Sequence, residues 1–200
     1  MELEKIKSKK ELRDLDEGFL SRLLKIYKKE DFKKVRRDLR RVYGMFKKLK
    51  YKRDGRAYDM IFEITGKPKS VLDLGCGYSP LYFSFKDIKY YYADIGHDYI
   101  KDKGFIFDLL NDDYNKLPEV DVVFLFKVLE SLEFFKRNIS KEVISRLKAK
   151  YIVVSFDKKS LSGGEIKKKG RIWFRIMLRE LKLNYKTLDY ENEIFFVIKK

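Results

Sequence analysis

The chain has 200 residues, a formal charge of +16 and a pI near 9.6, which suits one α/β domain with a modest extension and a polyanionic partner. A lone cysteine, Cys76, excludes a disulfide framework and a cysteine zinc cluster. No apolar run reaches the roughly 18 residues of a membrane span, and the first residues lack a signal-peptide core, so a cytoplasmic monomer with no membrane partner and no bound metal is expected.

The positive charge is uneven. Residues 1–69 hold 23 Lys/Arg against 12 Asp/Glu, a net of +11, and the other 131 residues carry the remaining +5. Residues 3–50 read as helices, with Leu12, Leu15, Phe19, Leu20, Leu23, Leu24 and Tyr27 recurring at three and four. Past a break at Lys29-Glu30-Asp31, Phe32, Val35, Leu39, Val42, Tyr43 and Phe46 continue the period. Lys33, Lys34, Arg36, Arg37, Arg40 and Arg41 occupy the opposite face, where cations could track a phosphate backbone. A basic loop at 51–56 leads to a helix from Ala57 to Thr65, ended by Gly66. Residues 1–66 are therefore assigned to a basic helical, RNA-binding extension, and 67–200 to a ligand-binding domain.

That domain opens on Ser70-Val71-Leu72-Asp73-Leu74-Gly75-Cys76-Gly77-Tyr78-Ser79-Pro80. Val71, Leu72 and Leu74 suit a buried strand, Gly75 and Gly77 a turn whose backbone can approach a ligand, and Ser79-Pro80 the start of a helix. Strand, glycine turn and helix start form the nucleotide corner of doubly wound folds. Two features depart from the dinucleotide version. Asp73 stands inside the strand where an apolar residue is usual, and Pro80 occupies the third glycine position. A ligand with an amino-acid end and a ribose, but no phosphate, fits better.

Strands and helices then alternate, as in a parallel sheet. Tyr90 to Ala93 ends at Asp94, 21 residues after Asp73, close to the spacing at which a carboxylate accepts from a ribose diol. Phe105 to Phe107 forms a third strand that closes at Asp108. Asp121 to Phe126 is a central strand with Lys127 at its carboxyl end. A helix capped by Ser140 precedes a strand from Tyr151 to Phe156, which opens into the polar segment 157–164. Arg171 to Leu183 suits a helix, and Asn184 to Asp189 with Glu193 to Lys199 a closing antiparallel pair. The fold class expected is a Rossmann-like α/β sheet, mostly parallel with antiparallel closing strands.

The glycine corner resembles motif I of class I methyltransferases, which bind S-adenosyl-L-methionine. Further segments resemble one family, the aminoglycoside-resistance methyltransferases that act on guanine N7 in the decoding site of small-subunit ribosomal RNA. These are Leu125-Phe126-Lys127-Val128-Leu129 with Leu132-Glu133, Val154-Ser155-Phe156 with Lys159-Ser160-Leu161 and Gly163, Trp173-Phe174, and 192–199. Glu130, Asp157, Gly164 and Arg175 depart from its pattern, which marks a distant member. The resemblance implies an S-adenosyl-L-methionine-dependent rRNA methyltransferase partnered by the 30S subunit. It places Asp73, Gly75, Cys76, Gly77, Asp94, Ile95, Asp108, Leu109 and Arg56 or Arg53 at the cofactor, and Lys127, Lys159 and Ser160 at the target base. Methylation of another RNA such as tRNA, a non-catalytic ribosome-assembly factor and a dinucleotide oxidoreductase are the competing readings.

Overall fold

A computed structural model describes residues 2–27, 32–44, 46–47, 53–101, 103–159 and 171–200. Three helices come first: α1 (Glu2–Lys7), α2 (Glu17–Ile26) and α3 (Phe32–Leu39), the last continued by a π-turn at Arg40–Gly44. Asp16 caps α2 by accepting the Phe19 N–H at 2.7 Å. Along α3, Val35 and Leu39 are buried and Lys33, Lys34 and Arg37 exposed, the two-faced pattern that the spacing predicts.

A seven-stranded sheet follows, made of β1 (Ser70–Leu74), β2 (Lys89–Asp94), β3 (Gly104–Ile106), β4 (Val120–Phe126), β5 (Ala149–Asp157), β6 (Asn184–Tyr190) and β7 (Glu193–Lys199). Its order is β3-β2-β1-β4-β5-β7-β6. The first five strands run parallel, whereas β7 lies antiparallel between β5 and β6. Chain order reverses at β1, flanked by β2 and β4, and such a reversal leaves a crevice at the carboxyl ends of the strands.

Alternation along the strands divides the core into two. Leu72, Leu74, Val123, Leu125, Val154, Phe196 and Ile198 join the first three helices, together with α5 (Leu129–Phe135), α6 (Ile139–Arg146) and α7 (Ile172–Glu180). Val71, Val122, Phe124, Val153, Phe195 and Val197 face the other way, onto Ala57, Tyr58, Ile61 and Phe62 of α4 (Gly55–Thr65). So α4 packs with the sheet, although the sequence groups it with the basic extension.

Two local expectations fail. The glycine turn leads into a 3-10 turn at Ser79–Leu81 rather than an α-helix. Phe83 and Phe85 are instead drawn onto Tyr58, and Phe83 stacks on Tyr90 at 4.1 Å. Ser140 does not cap α6, which begins at Ile139 after a left-handed Asn138. Glu133 takes that role, its carboxylate accepting the N–H groups of Asn138 and Ser140 at 2.8 Å each. Among the described residues no helix is long and apolar enough to cross a membrane.

Candidate functional site

A cavity of about 170 Å³ opens at the carboxyl ends of β1 to β4. Its floor is the turn after β1. The Gly75 and Cys76 N–H groups both donate to the Ala93 carbonyl, at 2.8 and 3.2 Å, tying the turn to β2. Gly75 has φ +70°, and a Cβ built there would lie 2.5 Å from Val128 Cγ2, so this position requires glycine.

Two carboxylates stand on one side. Asp94 accepts the Gly77 N–H at 2.9 Å and the Gly96 N–H at 3.0 Å. Burial pushes its carboxyl up to about 6, against the opposing pull of those N–H groups. Asp108, 1% exposed, accepts the Leu110 N–H, Asn111 Nδ2 and Arg22 Nε, each at 2.9 Å. Ile95 and Leu109 follow these acids in the lining.

Two cations stand on the other side. Lys127 ends β4 with a left-handed backbone (φ +61°), and its ammonium meets Asp157 at 2.7 Å and Glu193 at 2.9 Å. Arg53 lies over the Phe126 ring at 3.9 Å and pairs with the same Glu193. Arg53 and Lys127 belong to the lining, whereas Asp157 and Glu193 do not. Phe19, Leu39, Val42, Tyr43 and Phe46 of the helical layer complete the wall.

That layer is fastened to the two acidic loops. An antiparallel bridge joins Leu15 to Gly96, with the Asp16 N–H donating to the Ile95 carbonyl and the His97 N–H to the Asp14 carbonyl, both at 2.8 Å. The Tyr43 hydroxyl donates to Asp14 at 2.6 Å. His97 itself is exposed, its Nε2 3.7 Å from Asp16.

The structure thus brings together Gly75, Cys76, Asp94, Ile95, Asp108, Leu109 and Lys127, with Gly77 bonded to Asp94. It does not bring in Asp73, whose side chain points to the opposite face of the sheet and accepts the Tyr90 hydroxyl at 2.7 Å. Nor does it bring in Arg56, which is exposed and paired with Asp54, the cap of α4. The arginine at the wall is Arg53, three residues earlier and buried. Lys159 is exposed and outside the lining, and Ser160 lies outside the described residues. Phe174 is buried against Phe156 and Phe196, whereas Trp173 is exposed. Arg22 and Glu193 escaped notice in the sequence because their partners lie far along the chain.

Solved structures share this architecture over its whole length. The 16S rRNA methylase RmtB aligns with 100% of this chain and 97% of its own, with a TM-score of 0.72 and 20% identity. The 16S rRNA methyltransferase RmtF, in complex with S-adenosyl-L-homocysteine, gives 0.73 and 19% over 100% and 96%. The chain has the class I methyltransferase fold. A 16S rRNA (guanine(1405)-N(7))-methyltransferase of Micromonospora echinospora is 32% identical over 166 residues, covering 72% of this chain. The chain spans 58% of that relative's length. No family model matches. Within the class I methyltransferase fold, the cavity lies at the switch point where β1 parts β2 from β4.

Proposed function

We propose that this chain is an S-adenosyl-L-methionine-dependent methyltransferase of guanine N7 in small-subunit ribosomal RNA, acting in the cytoplasm. The observation that carries the reading is the polarity of the cavity: two carboxylates on one side, two cations on the other, and between them a glycine floor that a Cβ would obstruct. An adenosyl ligand with an amino-acid end matches that order. Asp94 suits a ribose diol, Asp108 and Leu109 an adenine edge, and Arg53 a carboxylate. The likeness to the N7 methyltransferase of Micromonospora echinospora supports the choice of target.

When bound, the cofactor supplies an electrophilic methyl on a sulfonium sulfur. Guanine N7 offers an in-plane lone pair on a neutral ring and needs no deprotonation, so the protein has to align rather than abstract. The site suits that division of labour. Among the described residues its lining holds no histidine, and burial raises the Cys76 thiol well above its ordinary range, which keeps it un-ionised. The basic outer face of α3 supplies phosphate contacts that bring RNA to the cavity. Lys127 is assigned to hold the target base at the mouth, where unstacking costs a few kcal/mol.

Tritium transfer from labelled S-adenosyl-L-methionine into purified 30S subunits, beside tRNA, tests the proposal. Label is expected in the 30S subunit alone, at a position that cleaves by N7-specific chemistry. Label in tRNA alone would move the substrate, and 30S binding without label in any substrate state would make the chain an assembly factor.

A further inference from the structure

Arg22 stands on α2 in the helical layer, 86 positions before the side chain that it grips. Its Nε donates to Asp108 Oδ2 at 2.9 Å, and its Nη2 reaches Asp112 at 3.4 Å. Asp108 is held from three sides, because Oδ2 also accepts Asn111 Nδ2 and Oδ1 accepts the Leu110 N–H. A carboxylate offers about four lone-pair positions and no donor. Among the described residues three are filled, and the position left over is on Oδ1. A fixed, acceptor-only group with a single vacancy reads one donor at one place.

We infer that Arg22 is a positioning residue that sets base specificity in the cavity: it locks the Asp108 carboxylate so that its remaining lone pair selects a ligand base carrying an exocyclic amine. The inference rests on the adenosyl reading of the cavity. Arg22 has no place in the lining itself, so it acts through Asp108. A planar guanidinium fixes the orientation of its partner in a way that a compact ammonium does not. Base recognition by the α/β half is thereby built partly from the helical half.

Calorimetry on the full chain tests this with two ligands, S-adenosylhomocysteine and its purine counterpart lacking the 6-amino group. The native chain is expected to prefer the adenine compound by about tenfold, the lower end of what a hydrogen bond to a charged group contributes. In Arg22→Met the preference should fall to about twofold or less, through weaker binding of the adenine ligand and little change in the other. Equal weakening of both ligands would reduce Arg22 to a supporting strut and overturn the inference, as would an unchanged preference. Should the methionine variant not fold, Arg22→Gln decides. A preference below about threefold upholds the role, and one near tenfold ends it. A native chain that binds neither ligand would sink the adenosyl reading as well, whereas a native chain that binds both without preference would sink the inference alone.

Discussion

The Arg53 guanidinium holds the Glu193 carboxylate with two hydrogen bonds, Nε to Oε2 at 3.2 Å and Nη2 to Oε1 at 3.0 Å, across 140 residues of chain. Both side chains are buried, and Lys127 reaches the same carboxylate at 2.9 Å. Burial alone would raise the Glu193 carboxyl, but Arg53 and Lys127 together hold it below the usual glutamate range. Removing Arg53 takes two hydrogen bonds from a buried carboxylate and leaves it Lys127 alone, so Arg53→Ala should cost about 3 kcal/mol in urea unfolding. The sign with pH follows from the lowered value. The pair's contribution is full above the ordinary glutamate range and is lost as pH falls through the folded value. The native chain should therefore lose more stability on acidification than Glu193→Gln does.

Asp73 has the opposite sign. Burial pushes its carboxyl up to about 6, against the Tyr90 hydroxyl bond that lowers it. Its favourable contribution is full below the ordinary aspartate range and is lost as pH rises through about 6. Asp73→Asn keeps an acceptor for Tyr90 without the charge. Relative to the native chain it should be near neutral at low pH and more stable above the titration by about 2–3 kcal/mol. Thermal melts across that range check it, and a stability gap that does not widen with pH would refute it.

Gly75→Ala should be severe. The new Cβ meets the Val128 side chain at 2.5 Å, and φ of +70° is strained for any L side chain. A loss of about 2 kcal/mol or more is expected, together with S-adenosylhomocysteine binding. Adding Val128→Ala should relieve the clash but not the backbone, and so restore only part of the melting temperature.

Charge on the outer face of α3 should appear in the salt dependence of RNA binding. Lys33 and Arg37 are exposed and face away from the core. If each neutralises one phosphate, Lys33→Ala with Arg37→Ala lowers the slope of log affinity against log salt by about 1.4–1.8. Filter binding to 30S subunits over a range of KCl measures it. Affinity that falls with an unchanged slope would remove these residues from the phosphate contacts.

The sheet was legible because strand and glycine signals are local. The apolar residues within 71–74 and 121–126 and the turn at Gly75 and Gly77 needed no partner to be read, and Asp94 and Asp108 followed from strand ends. What stayed hidden depends on distant pairing. Nothing beside Arg53 in the chain distinguishes it from Arg56, yet one is buried on Phe126 and Glu193 while the other lies in solvent. Asp73 looked like part of the corner because of its neighbours, but a strand sends alternate side chains to opposite faces, and its turn fell away from the cavity. Ser79-Pro80 and Ser140 were sound local signals for helix starts, overridden by the aromatic packing of Phe83 and Phe85 and by the reach of Glu133.

The bridge from Leu15 to Gly96, with the Arg22 contact beside it, bears on how the molecule comes apart. Phe19, Leu39 and Tyr43 share one continuous apolar cluster with Leu74, Ala93 and Leu125 of the sheet. Peeling the helices away would bare that cluster and strand the Asp108 carboxylate, so the two halves have no independent way to melt. Heat should produce a single cooperative transition, with calorimetric and van't Hoff enthalpies in agreement, rather than the two steps of beads on a string.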